Sequence, residues 1–365
     1  MKILVIIQRS NGDVFFANTI ISHLFNNYSN ASIDILVNDD TFQVAKLIPN
    51  INQTIIFSYK EKSENRWTQE RRIFEKIYRK YDLSINLTAS DRSVIYALLS
   101  SKNSISAVEK NSSKSWWKKI LLKNYYFFNP SKHIIENNLQ ALDILGFEYK
   151  KEVETLPFSK KVEKAISKKL KNLNINKFLI FHPSAQYNYK IYPQDSRNKL
   201  LEFLDRLNIP IVITGGRSEI DLSIKDSIPK GTNFINLIGE TSIEEYVVLS
   251  HLSLGYLGMD TLNMHIAASQ NKRVFAIFGP TILRMWSPWS NTTNSCASVN
   301  QYINKYGNIT IFQADLSCVA CGNMGCNNEY DESECLNYID PKFIYEEIKN
   351  FINNKKIQRD LRSTI

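Results

Sequence analysis

The chain has 365 residues, 43% of them hydrophobic, and a formal net charge of +9 at pH 7. This length is too great for one ordinary domain and indicates two domains of about 150 to 200 residues each. The apolar share is that of a globular protein with a sizeable core. The positive charge favours anionic partners such as nucleic acid, acidic lipid or a phosphorylated substrate, or simply marks a basic soluble protein.

The N-terminus, MKILVIIQRSNGDV, has about five consecutive apolar residues before polar ones. This run is too short for a signal peptide and is typical of a buried strand. No run approaches the ~18 apolar residues that are needed to cross a bilayer. We therefore expect a cytoplasmic protein, soluble or attached to one membrane surface.

The first half of the chain alternates apolar runs with amphipathic segments. The patterns predict a first helix that begins near Asp13, further helices at 68–81 and 133–146, and strands at 3–7, 33–37, 53–57 and 83–87. Continuous apolar runs suit strands that are buried on both faces of a parallel sheet. Repeated βαβ units predict an open parallel sheet.

A charged, Lys-rich stretch from 147 to about 177 predicts a domain boundary. Beyond it, the patterns predict helices at 195–207, 241–251 and 341–353, and strands at 178–181, 209–214, 254–257 and 274–278. The predicted fold is α/β, with two Rossmann-like doubly wound domains. They span 1–160 and 161–340, and a C-terminal helix and tail follow at 341–365.

Gly12 and Asp13 follow the first strand and open the first helix. Glycine lets the backbone approach a ligand closely, and a carboxylate at this strand end is a candidate for contact with substrate. Asp13 is equally a residue that the helix dipole favours in a first turn. The loop is not a G-x-G-x-x-G fingerprint, which weakens a nicotinamide interpretation.

Two further candidates follow strands of the second half. His182 and Ser184 lie in a small-residue loop that Lys190 follows, and backbone N–H groups, a hydroxyl and an ammonium suit a diphosphate. Glu219 follows a glycine turn and is a candidate for the ribose hydroxyls of a nucleotide. Solvated surface charges are the alternative interpretation of Lys190 and Glu219.

Asp260 and Thr261 stand between a strand and a helix that ends near Ser269. They are candidates to cap that helix beside a phosphate or a sugar hydroxyl. His265, one turn further along, is as well explained by packing as by ligand binding.

A basic and aromatic segment, KNSSKSWWKKILLKNYYFFNP, precedes the last helix of the first half. Cationic and aromatic side chains suit a bilayer interface or a phosphorylated sugar, and single-stranded nucleic acid is discounted because no such binding motif accompanies them. A partly buried helix pair with its lysines outside is the alternative. The candidates for acceptor or membrane contact are Lys114, Trp116, Trp117, Lys118, Lys119 and Lys123.

Four of the five cysteines form a C-x2-C-x4-C-x8-C pattern. The spacing approximates a zinc site, so a structural zinc is one hypothesis and reduced, partly buried thiols are the other. The four residues are Cys318, Cys321, Cys326 and Cys335.

Together these motifs resemble glycosyltransferase family 9, the ADP-heptose:lipopolysaccharide heptosyltransferases. The resemblance runs through most of the chain, and the late cysteine cluster is similar to one seen in many members. Its motifs are Gly12-Asp13-Val14, His182-Pro183-x-Ala185 with Lys190-x-x-Pro193, Asp260-Thr261-x-x-x-His265-x-Ala267-Ala268, Phe278-Gly279-Pro280-Thr281 and Trp286-x-Pro288.

The resemblance implies the GT-B architecture, with two Rossmann-like domains that face a central cleft. It also implies an inverting transfer of a heptose from ADP-heptose to an anionic, lipid-linked core acceptor at the inner-membrane surface. Asp13 is then the general base, Lys190 and the N–H groups near Asp260-Thr261 stabilise the leaving diphosphate, and Glu219 holds the ribose. Catalysis needs no metal in this scheme.

Three positions depart from the family's pattern. Ser184 and Leu262 stand where glycine is common, and Tyr192 replaces a frequent tryptophan. These positions bear on which sugar the donor carries. Two alternatives stay open: a GT-B transferase that uses another nucleotide sugar for surface glycan synthesis, and a non-catalytic sugar-nucleotide-binding protein of the same fold.

Overall fold

The computed structural model describes residues 1–110, 113–329 and 331–363, without the side chains of Lys114, Asn328 and residues 355–363. The chain divides into two compact units, Met1–Pro157 and Phe158–Ile365. Each unit contains one predominantly parallel sheet with helices. Every helix in the described ranges is too short or too polar to cross a bilayer.

Six strands form the sheet of the first unit. They are β1 (Lys2–Ile7), β2 (Ser32–Asn38), β3 (Ile51–Phe57), β4 (Leu83–Asn86), β5 (Ser104–Glu109) and β6 (Asn124–Phe128). Their order is β3-β2-β1-β4-β5-β6, and every pairing is parallel. The central strands β1 and β4 are buried along almost their whole length, as the continuous apolar runs predict.

Five helices connect these strands, and a sixth follows β6. They are α1 (Asn11–Asn27), α2 (Phe42–Ala45), α3 (Tyr59–Ile77), α4 (Asp91–Ser100), α5 (Trp116–Leu121) and α6 (Ile134–Leu145). Ser58 and Ser90 cap α3 and α4, because their hydroxyls accept first-turn N–H groups. Gly146 ends α6 in the left-handed conformation at φ 72°, as the sequence predicts.

Seven strands form the sheet of the second unit. They are β7 (Leu179–His182), β8 (Ile211–Ile213), β9 (Phe234–Asn236), β10 (Gly255–Met259), β11 (Arg273–Ile277), β12 (Ile303–Tyr306) and β13 (Ile309–Phe312). The order is β12-β13-β11-β10-β7-β8-β9, with only β12 antiparallel to its neighbour among these strands. The carboxyl ends of β7 and β10 are therefore adjacent, and both lead into candidate site loops.

The helices of the second unit are α7 (Lys160–Asn172), α8 (Gln194–Asp205), α9 (Glu219–Asp226), α10 (Ile243–Leu252), α11 (Leu262–Ser269), α12 (Leu283–Trp286) and α13 (Pro341–Ser363). The last helix packs into the core of this unit. Ile344, Ile348 and Ile352, four residues apart on one face of α13, are buried in a cluster with Leu200 and Leu204 of α8.

Several element bounds differ from the sequence-based predictions. Helix α3 begins at Tyr59, nine residues before the predicted helix start, and it carries a non-helical kink at Asn65. Helix α7 lies inside the Lys-rich stretch that was predicted only as a boundary. Its buried Ile166 and Leu170 form a narrow apolar stripe among lysines, which a composition argument overlooks.

Candidate functional site

Asp13 lies in the first turn of α1, directly beyond the carboxyl end of β1, and only 2% of it is exposed. Arg9 Nε donates to Asp13 Oδ1 at 2.7 Å, and Ser10 Oγ donates to Oδ2 at 2.7 Å. Ser10 occupies the N-cap position, yet its hydroxyl serves this carboxylate and caps no helix N–H. The sequence motif thus produces a buried, oriented carboxylate, and Gly12 precedes it at the same turn.

Other polar groups of the same sheet edge are buried without a partner in the described part of the chain. They are Gln8 Nε2 after β1, Asn11 Oδ1 at the start of α1, and Asn38 Oδ1 at the end of β2. Buried polar groups are normally satisfied, so a cluster of exceptions at strand ends indicates a place for a polar ligand. Sequence reasoning did not single out these three residues.

In the second unit, His182 ends β7 and is buried. Its Nδ1 lies 3.0 Å from Thr214 Oγ1, which follows β8, and 3.2 Å from Asn263 Nδ2 in α11. Burial lowers the pKa of His182 to about 4, against smaller raising effects of Asp221 and Thr214. The imidazole is therefore neutral near pH 7 and ties three segments of the sheet edge together.

Ser184 donates its hydroxyl hydrogen to Asp221 Oδ1 at 2.5 Å. The same carboxylate accepts the Gly216 N–H at 2.8 Å and the Ser218 N–H at 2.9 Å. Burial would raise the pKa of Asp221, but hydrogen bonds, first among them that from Ser184, outweigh burial and lower it. Asp221 thus joins the loops after β7 and β8.

Glu219, the acidic residue that the sequence suggested, is an exposed first-turn residue of α9. Asp221, two residues further along, was not predicted from the sequence. The available signal was the S-x-x-D pattern from Ser218 to Asp221, a capping-box spacing that marks Asp221 as a first-turn acid.

Lys190 Nζ donates to Asp260 Oδ2 at 3.1 Å. Lys190 ends a short 3-10 turn after β7, and Asp260 follows β10, so the adjacent strands bring them together. Burial acts to lower the pKa of Lys190, but the charge and hydrogen bond of Asp260 outweigh burial, so the pKa lies above its usual 10.5. The loop therefore holds a cation at neutral pH.

Thr261 is the N-cap residue of α11, and its hydroxyl caps no N–H of that helix among the described contacts. Tyr256 Oη lies 3.4 Å from Thr261 Oγ1 and donates to the Met259 carbonyl at 2.8 Å. Further into α11, His265 is buried. Burial is the main cause that lowers its pKa to about 4, with Asp260 opposing. His265 is thus a neutral packing group close to the Lys190–Asp260 pair.

The basic and aromatic segment separates into two faces. Trp116, Ile120 and Leu121 are 63%, 70% and 60% exposed, whereas Trp117 packs against a small buried cluster. Lys118 is buried, contrary to its expected surface role. Its Nζ lies 2.6 Å from Ala89 O, 2.8 Å from Asp91 Oδ1 and 3.0 Å from Glu109 Oε2.

The other lysines of this segment have different surroundings. Lys119 lies with its Nζ 5.3 Å from the centroid of the Phe127 ring and donates to the Lys110 carbonyl. Lys123 is exposed. The side chain of Lys114 lies outside the described residues.

All four late cysteines lie in the described part of the chain, and none is in a disulfide there. Cys335 is buried, and its pKa is raised to about 12, first by burial and then by the charges of Cys326, Cys321 and Cys318. The four thiols therefore share one neighbourhood. As they stand, however, no three His, Cys, Asp or Glu side chains in the described ranges form a set that could hold a metal ion.

Known structures resemble both units of this chain. The structure of E. coli ADP-heptose LPS heptosyltransferase II superposes with a TM-score of 0.72 at 18% identity, over 98% of this chain and 100% of that one. E. coli heptosyltransferase WaaC with ADP gives 0.69 at 13% identity, over 96% and 100%. These likenesses and the two parallel-sheet units define the class of fold, which is GT-B.

Sequence comparison identifies the family. The model of glycosyltransferase family 9 (heptosyltransferase) matches residues 70–312, two thirds of the chain, and this chain therefore belongs to that family. It is also 27% identical over 296 residues to lipopolysaccharide heptosyltransferase 3 of Escherichia coli strain K12, covering 78% of this chain and 84% of that protein. The resemblance inferred from the motifs is thereby confirmed.

Proposed function

We propose that this enzyme transfers a heptose from ADP-heptose to a lipopolysaccharide or lipooligosaccharide core acceptor, with inversion at the anomeric carbon. The observation that carries the proposal is the match to a family described as heptosyltransferase over two thirds of the chain. The names of its sequence and structural relatives, lipopolysaccharide heptosyltransferase 3 and ADP-heptose LPS heptosyltransferase II, support the same donor and acceptor.

The second unit is the proposed donor site. Lys190 supplies a permanent cation, and the first turn of α11 supplies N–H groups and the positive end of its dipole, beside Asp260 and Thr261. Both stabilise the negative charge that grows on a departing diphosphate. His182 and Ser184 fix the loop after β7 through their hydrogen bonds to Thr214 and to the Asp221 carboxylate. Glu219 is the proposed partner of the ribose.

The first unit is the proposed acceptor site, with Asp13 as general base. A base must accept a proton from the attacking hydroxyl, so one carboxylate oxygen has to exchange a present partner for the acceptor. Arg9, only partly buried, is the mobile partner of the two, since its side chain is long and 31% exposed.

A thermal-shift panel with ADP, ADP-heptose, UDP, GDP and UDP-sugars tests the donor. A ligand at about a hundredfold its dissociation constant adds ~2.7 kcal/mol of stability. Selective stabilisation by ADP and ADP-heptose is expected, followed by transfer to a truncated core acceptor. A selective response to another nucleotide would replace the donor and favour surface glycan synthesis with a different sugar. Donor binding with no transfer to any acceptor would favour the non-catalytic alternative.

We also propose that the protein works in the cytoplasm as a peripheral protein of the inner face of the inner membrane. The outer face of α5, with Trp116, Ile120 and Leu121, is exposed and apolar, and Lys119 and Lys123 flank it. Such faces bind anionic interfaces through apolar burial and charge. Co-sedimentation with vesicles that contain phosphatidylglycerol is expected to fall for Trp116→Ser. Trp67→Ser, which removes a Trp that is 80% exposed elsewhere in the unit, is the matched control.

A structural zinc at Cys318, Cys321, Cys326 and Cys335 is the remaining proposal. Three neighbouring thiols oppose ionisation of Cys335, and a bound cation would reverse that effect. The Glu334 N–H lies 3.4 Å from Cys326 Sγ, an arrangement that stabilises a thiolate. About one equivalent of zinc is expected in protein purified without chelators. Loss of metal in Cys335→Ser but not in Cys296→Ser supports the site, and absence of metal from the unmodified protein removes it.

A further inference from the structure

Arg92 is a partly buried cation beyond the carboxyl end of β4, at the second residue of α4. Its guanidinium carbon lies 3.6 Å from the centroid of the Phe57 ring and 5.3 Å from that of Tyr59. Its Nη2 donates to Tyr59 Oη at 3.1 Å, and its Nε lies 3.4 Å from Gln8 Oε1. These neutral groups orient the side chain without compensating its charge.

Acidic residues on the elements around Arg92 have other partners. Glu70 accepts a hydrogen bond from Tyr96 Oη at 2.6 Å. Asp91 is paired with Lys118 at 2.8 Å, and Glu61, which follows Tyr59 by two residues, is paired with Arg72 at 2.7 Å. No carboxylate forms an ion pair with Arg92 among the residues that the structure describes. A guanidinium that is partly removed from water and lacks a counterion is a ready anion ligand.

Gln8 adds a second, independent observation. The residue is only 6% exposed, and its backbone N–H is bound to Thr88 Oγ1 at 3.0 Å. Its side-chain Oε1 faces Arg92, so the Nε2 of the same amide lies beside the guanidinium, and Nε2 has no partner within the described ranges. Two adjacent donors, one charged and one buried and unused, call for an acceptor-only group.

We propose that Arg92 and Gln8 form a subsite for an anionic group, phosphate or carboxylate, that the acceptor saccharide carries. The identity of the bound molecule as acceptor rests on the proposed function. The planar guanidinium, backed by the Phe57 ring, presents its donors in a fixed direction, which suits bidentate binding of either anion. Because β1 and β4 are adjacent and parallel, this subsite and Asp13 lie on one sheet edge. Anion binding there orients the acceptor relative to the base.

The test uses one core oligosaccharide in three forms: untreated, treated with phosphatase to remove phosphate monoesters, and amidated to neutralise its carboxylates. For the unmodified enzyme, one treatment is expected to raise the acceptor KM roughly 10- to 100-fold, as loss of a charged hydrogen-bonded pair does. The treatment that acts identifies the group. If neither treatment changes KM, the proposal is wrong.

Two variants attribute the effect to this subsite. Gln8→Glu is nearly isosteric and keeps Arg92 in place but cancels its charge, and Arg92→Gln removes the charge itself. For both variants, the KM for the untreated acceptor is expected to equal the KM that the unmodified enzyme shows for the acceptor whose anionic group has been removed or neutralised. Neither variant should then distinguish the treated from the untreated acceptor. Arg71→Gln is the matched control, because Arg71 is exposed and paired only with Glu75 on the surface of α3. An unchanged acceptor preference in Arg92→Gln would overturn the proposal.

A further experiment separates this inference from the proposed function. The enzyme is titrated with inorganic phosphate in the presence of saturating ADP, and calorimetry measures the binding. The ADP occupies the donor site, so the phosphate reports on the first unit. Phosphate binding that Asp13→Asn retains and both Arg92→Gln and Gln8→Glu lose supports the subsite even if no heptose transfer is found. Phosphate binding that is equal in all variants overturns the subsite even if transfer proceeds.

Discussion

Lys190 Nζ and Asp260 Oδ2 lie 3.1 Å apart, although seventy residues separate them in the chain. The parallel pairing of β7 with β10 brings their loops to one edge of the second sheet. The pair keeps the ammonium charged and limits its motion before any ligand arrives. A diphosphate that enters this edge competes with Asp260 for a cation that is already oriented, so little reorganisation is needed.

Replacement of Lys190 tests this cation directly. Lys190→Met is expected to lower kcat by roughly 10²- to 10³-fold, because one charged donor to the leaving group is lost in a site of restricted water. Steady-state kinetics with ADP-heptose measure the change. Lys199→Met removes an exposed lysine of α8 and should leave kcat unaltered. Equal kcat in the two variants would remove Lys190 from the reaction.

Asp13→Asn removes the proposed base while leaving the volume of the side chain nearly constant. A fall in kcat of roughly 10²- to 10⁴-fold is expected, since general bases contribute about that much. The dissociation constant of ADP should not change, because Asp13 belongs to the first unit and the donor residues belong to the second. A variant that retains full turnover would show that another group accepts the proton.

Acid should destabilise the second unit through its buried histidines. Burial lowers the pKa values of His182 and His265 from about 6.5 to about 4. The unfolded chain therefore binds these protons first, and the associated stability is present above pH 6.5 and is lost as the pH falls towards 4. The shift corresponds to roughly 3 kcal/mol for each residue.

Urea unfolding at pH 7 and pH 4.5 measures this dependence. His265→Gln should be less stable than the unmodified protein at pH 7 but should lose less stability between the two pH values. A pH dependence that is identical in the variant and the unmodified protein would contradict burial of a neutral His265.

Gly258 lies in β10 where that strand passes β7. A Cβ added there would lie 2.3 Å from the His182 carbonyl oxygen and 2.8 Å from Tyr256 Oη. The first obstacle is backbone of a neighbouring strand, so Gly258→Ala should destabilise the protein by about 3 kcal/mol or more. Gly146→Ala is the comparison, because Gly146 has a left-handed φ but open space around it. Its expected cost is about 1 kcal/mol. Chemical denaturation that ranks the two variants in the opposite order would be incompatible with this packing.

The sequence predicted the central strands well because continuous apolar runs such as Ile3–Ile7 have few alternative explanations. It predicted short or mixed elements poorly. Strand β9 has only three residues, Phe234–Asn236, all of them partly exposed, and its place in the sheet depends on backbone pairing with β8. No local pattern of three residues carries that information.

The candidate site divides in the same way. Asp13, His182 and Asp260 were found because each lies at or shortly after the end of a predicted strand, and that position is visible in the sequence. Asp221 was missed because its importance comes from a hydrogen bond to Ser184, 37 residues away. Lys118 was misjudged because a lysine in a basic run looks solvated, and only the fold shows the carboxylates of Asp91 and Glu109 around it.

The buried Lys118 has a consequence for the lysines around it, because they are not interchangeable. Helix α5 has six residues and is too short to hold its own orientation. The contacts of Lys118 with the β4–α4 loop, with α4 and with β5 therefore decide which side chains of α5 point outward. Replacement of Lys119 or Lys123 removes one positive charge and should weaken membrane binding only by the contribution of that charge. Replacement of Lys118 would instead remove the contacts that orient the helix and would change the direction in which Trp116 and Ile120 point. If the lysines of this segment were replaced one at a time, the variant at position 118 would therefore lose more membrane binding than the others, because the helix changes its orientation as well as its charge.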